Sequence, residues 1–352
     1  MILIISSCTP SADKSLKQIK VYENSLEIGK LSDIIKTISP VFLETNKNCF
    51  ISKVQQVRYT NEYIFITDFP GTKLLQFGKN GNFIRQIGSN GQGPTEYSFI
   101  NCFAINEEQE QLFVVSGRKL LCFGFNGEFV NSKKQENSIE YVEIINNELW
   151  VVISKNGTKT SKGKYLNETK LFKLNSNYQY KDSLLVKSVE QERPMFVFLP
   201  NSFLFSTAKQ HVNFYYPVFS PAAELRDTLY EIKNFELYPL IKLNFIDKTW
   251  NESIQNELAI RNIYRTKRYL FAEYIKQGKQ KLFCADLKME KQWNLTDGFD
   301  DDVYNTGSAK IFPTNMIESE FYFVKNAHEI TTQFDNVKEN DNPVLMLVKL
   351  KE

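Results

Sequence analysis

The fold is decided by residues 63–88, YIFITDFPGTKLLQFGKNGNFIRQIG. Aromatic and β-branched residues open the stretch, and the Phe-Pro-Gly sequence at 69–71 ends this first predicted strand. A second strand follows over 73–77 and a third over 83–87. The Asn-Gly pair at 80–81 predicts a type I′ hairpin turn, in which both central residues have positive φ. Because a three-stranded meander cannot bury both of its faces alone, this stretch predicts a repeat.

Six units of this kind follow one another along the chain. Each begins with an apolar strand and continues with a second strand, and the second strands recur about every 46 to 63 residues. This period predicts the blades of an all-β, six-bladed β-propeller, whereas two packed sandwiches fit the even spacing less well. The first strands are predicted at 63–66, 112–115, 149–153, 203–206, 269–272 and 321–324, and the second strands at 73–77, 119–123, 170–174, 228–232, 281–285 and 344–348.

The last unit leaves almost no chain for an outer strand, so the ring is expected to close with a strand from the N-terminal region. Residues 17–27 and 40–45 are the two candidates. We therefore predict one propeller domain over 17–352. It carries two insertions: a polar and aromatic segment at about 209–226, and a helix at about 247–264 with Thr249 as its N-cap.

Composition argues against several functional classes. The formal net charge is +2, so the chain as a whole offers no electrostatic case for nucleic acid or for an anionic membrane surface. None of the five cysteines forms a Cys-x-x-Cys pair, which excludes the common zinc and thioredoxin-like patterns. Buried free thiols are the expectation for the later cysteines.

The first residues point to export. An apolar run at 1–5 leads into Ser6, Ser7 and Cys8, a sequence that resembles the lipobox of bacterial lipoproteins. The run is shorter than a normal signal segment and has no basic residues before it, which a start codon further upstream would explain. We predict that Cys8 is lipidated, that residues 1–16 are a signal remnant and tether, and that the protein is anchored to the cell envelope.

The glycine-rich segment 88–97, GSNGQGPTEY, follows the opening stretch directly. Its glycines are spaced as in some phosphate-binding loops, but no Gly-Lys-Ser/Thr sequence ends it and no amphipathic helix follows. We therefore interpret the segment as a tight connection between blades. Glu96 and Tyr97 are expected to hold it by side-chain hydrogen bonds.

Four separated elements carry a family resemblance. Residues 63–88 are similar to an NHL-repeat blade, and segment 88–97 resembles the Gly-x-Gly-x-Gly-Pro-x-Glu-Tyr linker of six-bladed propeller lipoproteins of Bacteroidetes, with Thr95 in place of the more usual Gly. Asp227-Thr228-Leu229-Tyr230 and the C-terminal segment 339–345 also resemble landmarks of that family. The resemblance implies a propeller exported to the cell envelope. It implies no established activity and no catalytic residues.

Candidate binding residues are few. Asp68 follows a strand and is a candidate for binding a cation or a sugar in the central channel, or alternatively for accepting backbone N–H groups within its own turn. Tyr215, Tyr216 and Trp250 are candidates for stacking on sugar rings, with aromatic packing as the alternative. The aspartates at 297 and 300–302 offer oxygen ligands for Ca²⁺, but without EF-hand spacing a solvated acidic loop is the stronger interpretation. No other cofactor is predicted.

Two functions remain open at this point. The first is a non-enzymatic binding or scaffold protein of the cell envelope, whose propeller face meets a glycan or a protein partner. The alternative is an enzyme that acts on a carbohydrate or a lactone at the mouth of the central channel. No nucleophile motif supports the enzyme, and two carboxylates converging in the channel would favour it.

Overall fold

The computed structural model describes residues 16–22, 29–192, 203–208, 211–217, 226–246 and 258–352. These residues are almost entirely in strands and form six sheets arranged as the blades of a six-bladed β-propeller. In the described residues, no helix has the length and apolar character needed to cross a membrane. Of the predicted segment 1–16, residues 1–15, Cys8 among them, lie outside the described residues.

The elements follow the chain in blade order. The N-terminal elements are β1 (Lys17–Tyr22), α1 (Leu31–Ile34) and β2 (Ile35–Phe42). Blade 1 contains β3 (Val54–Tyr59), β4 (Tyr63–Asp68), β5 (Leu74–Gly78) and β6 (Phe83–Gln86). Blade 2 contains β7 (Cys102–Asn106), β8 (Gln111–Ser116), β9 (Lys119–Gly124) and β10 (Phe129–Lys134). Blade 3 contains β11 (Ser138–Ile145), β12 (Glu148–Lys159), β13 (Tyr165–Leu174) and β14 (Tyr180–Gln191).

The second half of the ring repeats this plan with additions. Blade 4 contains β15 (Phe205–Ala208), β16 (His211–Phe214), β17 (Thr228–Lys233) and β18 (Glu236–Ile246). Blade 5 contains β19 (Leu258–Arg265), β20 (Tyr269–Lys276), β21 (Lys279–Asp286) and β22 (Gln292–Leu295). A two-stranded connection follows, β23 (Phe299–Asp301) with β24 (Gly307–Ala309), and blade 6 then contains β25 (Phe312–Asn315), β26 (Glu320–Lys325) and β27 (Val344–Leu350). A short 3₁₀ helix, Ala327–Glu329, lies between β26 and β27.

The ring closes through β2, which is the outer strand of blade 6. It pairs antiparallel with β27 from Ile35 opposite Leu350 to Phe42 opposite Val344. The prediction of an N-terminal closing strand is therefore confirmed, and this strand includes the start of the second candidate segment. The first candidate segment instead contributes β1, which runs parallel to β18 as a fifth strand of blade 4.

The core lies between neighbouring blades and consists mainly of aromatic and branched side chains. Between blades 5 and 6, for example, Phe271 and Phe321 are fully buried with their ring centroids 5.4 Å apart. The four described cysteines, Cys49, Cys102, Cys122 and Cys284, are buried free thiols, as expected from their positions on or beside strands.

The turn at Asn80-Gly81 differs from the predicted type I′ geometry. Within this turn only Gly81 has a positive φ, +90°, and the N–H of Gly81 donates to the carbonyl of Gly78. The N–H of Gly78 in turn donates to Asn82, so the connection is a three-residue loop that ends in a left-handed glycine. Blade 2 repeats it, with Gly127 at +85°.

Two further predictions of secondary structure, one in blade 4 and one in blade 5, differ from the observed strands. Residues 203–206 lead into the innermost strand β15 of blade 4, and the second strand of that blade is β16, which lies within the predicted insertion at 209–226.

The predicted helix at 247–264 is wrong over its last seven residues, because 258–264 belong to strand β19. The buried Asn262 breaks the apolar alternation of that strand, and a bulge next to it shifts the register. Residues 247–257 are outside the described part.

The interpretation of the glycine-rich connection is confirmed. Glu96 accepts the N–H of Gly93 at 2.7 Å, and the hydroxyl of Tyr97 donates to the carbonyl of Ile87 at 3.0 Å. Lys119 from blade 2 donates to the carbonyls of Gly93 and Glu96. The segment therefore joins blade 1 to blade 2, and these hydrogen bonds hold it in place.

The Gly81 turn gives a test of how tightly the ring closes. A Cβ at Gly81 would lie 2.0 Å from the carbonyl oxygen of Phe42, the last residue of the closing strand. We expect Gly81→Ala to lower the free energy of unfolding by about 3 kcal/mol, because it adds a clash to the strain of positive φ. Chemical denaturation measures this change.

Gly163→Ala is the matched control, because Gly163 also has a positive φ, +79°, but has no neighbouring atom within 4 Å of the added Cβ. This variant should lower the free energy of unfolding by about 1 kcal/mol, because it adds only the backbone strain of a positive φ. An equal loss of unfolding free energy in the two variants would show that the Cβ added at Gly81 does not clash with the closing strand.

Candidate functional site

The centre of the ring holds a partly enclosed polar site. The innermost strands β3, β7, β11, β15 and β25 surround a cavity of about 230 Å³, mainly with residues near their C-terminal ends. We call this cavity the channel pocket. Its polar wall includes Arg58, Glu107, Tyr141, Glu143, Thr207 and Thr314.

An ion pair crosses the channel pocket from blade 1 to blade 3. Arg58 on β3 donates to both carboxylate oxygens of Glu143 on β11, from Nη1 at 3.0 Å and from Nη2 at 2.8 Å. The hydroxyl of Tyr141 donates to the same carboxylate at 3.2 Å. The side chains of Arg58 and Glu143 are 16% and 15% exposed, so the pair is largely desolvated but still reaches the cavity.

The electrostatics of this cluster keep Arg58 charged and keep the Tyr141 phenol and the Cys102 thiol neutral. Burial alone would lower the pKa of Arg58, but the neighbouring Glu143 carboxylate outweighs burial and the pKa lies above its usual value. Burial, followed by the charge of Glu143, raises the pKa of Tyr141 well above its usual value. Burial also raises the pKa of Cys102, on β7, to about 12. Arg58 is therefore cationic at neutral pH, and the phenol and thiol are neutral.

This arrangement supplies hydrogen-bonding groups rather than acid–base chemistry. Both carboxylate oxygens of Glu143 accept hydrogen bonds from Arg58. The Cys102 thiol is neutral, so it is not an activated nucleophile. One donor in the cluster is unused: the Nε of Arg58 is buried and has no hydrogen-bond partner among the described residues. A buried unpaired donor of this kind favours an acceptor atom from a ligand or a water.

Asp68 lies away from the channel pocket and accepts hydrogen bonds within its own turn. Its carboxylate accepts the N–H groups of Thr72 and Lys73, both at 2.8 Å, and the hydroxyl of Thr72. The side chain is also buried. The alternative interpretation of Asp68, as a turn acceptor, is confirmed by these contacts, which leave the carboxylate little capacity for a ligand.

The two tyrosines proposed for sugar stacking are in the core. Tyr215 and Tyr216 are 1% and 2% exposed. The hydroxyl of Tyr215 donates to the carbonyls of Arg226 and Ile260, and that of Tyr216 donates to Glu140 at 2.5 Å. This burial favours the packing alternative, because a stacking platform must present a ring face to its ligand. Trp250 lies outside the described residues.

The acidic loop at 297–302 does not form a calcium site in the described structure. Asp301 accepts the N–H groups of Val303 and Tyr304, and Asp302 accepts the N–H and the hydroxyl of Ser32. Across the described ranges, no group of three or more His, Cys, Asp or Glu side chains is arranged to hold a metal ion. The carboxylates at 301 and 302 stabilise the connection between blades 5 and 6.

Sequence reasoning missed Arg58 and Glu143. Arg58 lies on β3, whose polar sequence VQQVRY gave no strand signal, and β11 was likewise not identified. The available signal was one basic residue, Arg58, before one predicted apolar strand and acidic residues, Glu140 and Glu143, before the predicted apolar strand two units later. Recognising it required the innermost strand of each blade to be known.

The ion pair of the channel pocket predicts an asymmetric response to mutation. Glu143→Gln should lower the free energy of unfolding by about 3 kcal/mol, because it leaves the Arg58 guanidinium desolvated without its counter-charge. The double variant Arg58→Met with Glu143→Leu should recover most of that loss, since it removes both charges. Urea denaturation of the three proteins measures the difference, and a double variant as unstable as the single one would contradict this account.

Comparison with known proteins agrees with the fold. A crystal structure of a protein from Bacteroides fragilis NCTC 9343, described as exported, aligns with a TM-score of 0.71 and 18% identity over 96% of this chain and 100% of that chain. A gluconolactonase from Xanthomonas campestris aligns with a TM-score of 0.49 and 9% identity over 92% and 94% of the two chains. At 18% identity the likeness to the Bacteroides fragilis protein concerns the fold alone.

The curated proteins contain no match to the sequence. One family model does match, and it covers residues 16–349, which is nearly the whole propeller. The chain therefore belongs to the family described as domain of unknown function DUF4934.

Proposed function

We propose that this protein is a non-enzymatic binding protein of the cell envelope and that its channel pocket takes part of a glycan. The observation that carries the proposal is the Arg58–Glu143–Tyr141 cluster at the pocket wall. A paired guanidinium and carboxylate present donors and acceptors without net charge, which suits the hydroxyl groups of a neutral sugar.

The shape of the channel pocket agrees with a small ligand. Its volume of about 230 Å³ corresponds to about eight water molecules, which is room for a single sugar ring. Apolar side chains, among them Ile144, Phe205 and Met316, share the wall with the polar groups. A mixed lining of this kind is typical of small-molecule sites, in which apolar contacts supply area and a few polar groups set orientation.

The location in the cell envelope rests on two further points. The Bacteroides fragilis protein described as exported has the same fold over its whole length. In addition, residues 5–8 resemble a lipobox, and the blades resemble NHL repeats of envelope lipoproteins. Together these likenesses support export of the protein. A lipid on Cys8 would anchor it to the membrane, and a short tether would join Cys8 to the propeller.

The alternative function, an enzyme acting on a carbohydrate or a lactone, has one observation in its favour. Two carboxylates, Glu107 and Glu143, line the same pocket. Glu143 is held by Arg58, however, and Glu107 accepts the N–H of Asn61 at the exposed rim. The geometry therefore supports binding better than a pair of carboxylates that divide acid and base roles.

Filling the channel pocket should abolish glycan binding. Thr207 is half-buried on β15 at the pocket wall, and Thr207→Phe places a ring in the cavity while both residues of the ion pair are kept. We expect at least a tenfold loss of affinity, about 1.4 kcal/mol, for the neutral glycan that gives the strongest signal on an array. Isothermal titration calorimetry measures it.

Thr207→Ser is the control and should bind as the unmodified protein does. Equal binding by Thr207→Phe, or an array without any neutral glycan signal, would refute the channel pocket as the site. Release of a hydrolysis product during the titration would instead favour the enzyme.

Lipid attachment is tested separately in cells. Cys8→Ala should abolish incorporation of a labelled fatty acid when the full-length gene is expressed in a Bacteroides host, because the acylated thiol is removed. Cys49→Ala is the control, since Cys49 is a buried thiol of the propeller and should leave labelling intact. Undiminished labelling of the Cys8 variant would refute the lipobox.

A further inference from the structure

A row of polar side chains crosses blade 4 on the side that faces blade 5. In the strand register, Ser206 on β15 lies opposite Asn213 on β16, and Asn213 lies opposite Glu231 on β17. Side chains directly opposite each other in neighbouring strands share one face of the sheet. Leu229, two residues before Glu231, packs in the core cluster between blades 4 and 5, so the row faces that boundary.

Arg265, the last residue of β19, faces this row from blade 5. It lies opposite Leu270 on β20, and Leu270 belongs to the same core cluster between the two blades. The backbone N–H of Arg265 donates to the hydroxyl of Ser206 at 3.3 Å, which brings the end of β19 against the row. We call the polar row together with Arg265 the blade 4–5 boundary site.

The terminal nitrogens of Arg265 have no acceptor within the described part of the chain. Its Nε donates to the carbonyl of Thr266 at 3.3 Å, and this is the hydrogen bond that the side chain makes there. Neither Nη1 nor Nη2 belongs to the fully buried unpaired atoms, so a ligand can reach both. Arg58 of the channel pocket differs, because both of its terminal nitrogens donate to Glu143.

The carboxylate that faces Arg265 is held by other groups. Lys233 pairs with one oxygen of Glu231 at 2.6 Å, and Nδ1 of His211 contacts the other oxygen. Burial lowers the pKa of Arg265, and the charge of Glu231 offsets part of that effect. Since Lys233 and Glu231 cancel each other, Arg265 remains as a partly desolvated positive charge in excess, which an oxyanion from outside would stabilise.

Asn213 supplies a second unpaired group in the same boundary. The residue is fully buried, and its amide nitrogen donates to the carbonyl of Ser206 at 3.0 Å. Its Oδ1 atom is buried and accepts no hydrogen bond from any described residue. A buried acceptor without a donor favours a hydroxyl group or a water molecule beside it.

The blade 4–5 boundary site is a neighbour of the channel pocket. Arg265 ends the innermost strand of blade 5, and the channel pocket is likewise built mainly near the C-terminal ends of innermost strands. Ser206, which accepts from the backbone of Arg265, also lines the channel pocket. The two sites therefore lie on the same face of the propeller.

We propose that Arg265 binds an oxyanion, namely the carboxylate or phosphate group of an acidic sugar, or free phosphate. Nη1 and Nη2 donate to two oxygens of the group, an arrangement that the planar guanidinium matches. The sugar form rests on the proposed function, because it places the sugar ring in the neighbouring channel pocket. The contact between the oxyanion and Arg265 does not depend on that ring.

Calorimetric titrations of the full-length chain test the proposal with glucuronate, glucose 6-phosphate, inorganic phosphate and glucose. The acidic probe that binds most tightly should exceed glucose in affinity by about tenfold or more. Arg265→Met should remove this advantage, because it keeps an unbranched side chain but loses the guanidinium. Arg265→Lys should recover only part of it, since an ammonium group lacks the two parallel donors.

Arg118→Met is the matched control, because Arg118 is an exposed arginine in the turn between β8 and β9 and its loss changes the net charge equally. This variant should keep the affinity for the acidic probes. Should Arg265→Met fail to fold, a loss of affinity of about threefold or more in Arg265→Lys gives the same test.

The probes also separate the two sources of the oxyanion. Tighter binding of glucuronate or glucose 6-phosphate than of inorganic phosphate identifies an acidic sugar, and equal or tighter binding of inorganic phosphate identifies free phosphate. The proposal is overturned when glucose binds as tightly as every acidic probe, or when Arg265→Met keeps the full affinity. Thr207→Phe should leave phosphate binding intact, so a failure of the channel pocket is distinguishable from a failure of Arg265.

Discussion

Closure of the ring by β2 is the constraint on which the rest of the structure depends. Without it, blade 6 would end at β27 with an unpaired edge, and blades 6 and 1 would not enclose a common core. The buried Asn342 secures the junction: its amide donates to the carbonyls of Glu44 and Cys49 and accepts the N–H of Ile51. The start and the end of the propeller are thereby joined before the chain enters blade 1.

Closure also creates the channel pocket, because the pocket is assembled from separate blades. It exists only where five innermost strands meet, and its ion pair spans from blade 1 to blade 3. A propeller that failed to close would therefore lose the geometry of this pocket together with its stability.

The candidate sites were much harder to predict from sequence than the blades. The middle strands of most blades are long apolar runs, and these were visible in the sequence. The innermost strands are partly polar because they face the channel: β3 carries Arg58, and β19 carries the buried Asn262. Such strands lose the apolar alternation by which strands are recognised, and a partial apolar stripe over the start of β19 was read as part of a helix. The residues that form the channel pocket were hidden for the same reason.

The sequence by itself determined the repeat, the number of blades, the N-terminal origin of the closing strand and the internal role of Glu96 and Tyr97. These features depend on local patterns: apolar runs, glycine turns and short-range hydrogen bonds. Only the tertiary structure decided which N-terminal segment closes the ring, that Tyr215 and Tyr216 are buried, and which charges meet in the channel. Those outcomes depend on contacts between residues far apart in the chain, and no spacing along the sequence encodes the distance between Arg58 and Glu143 once the ring has closed.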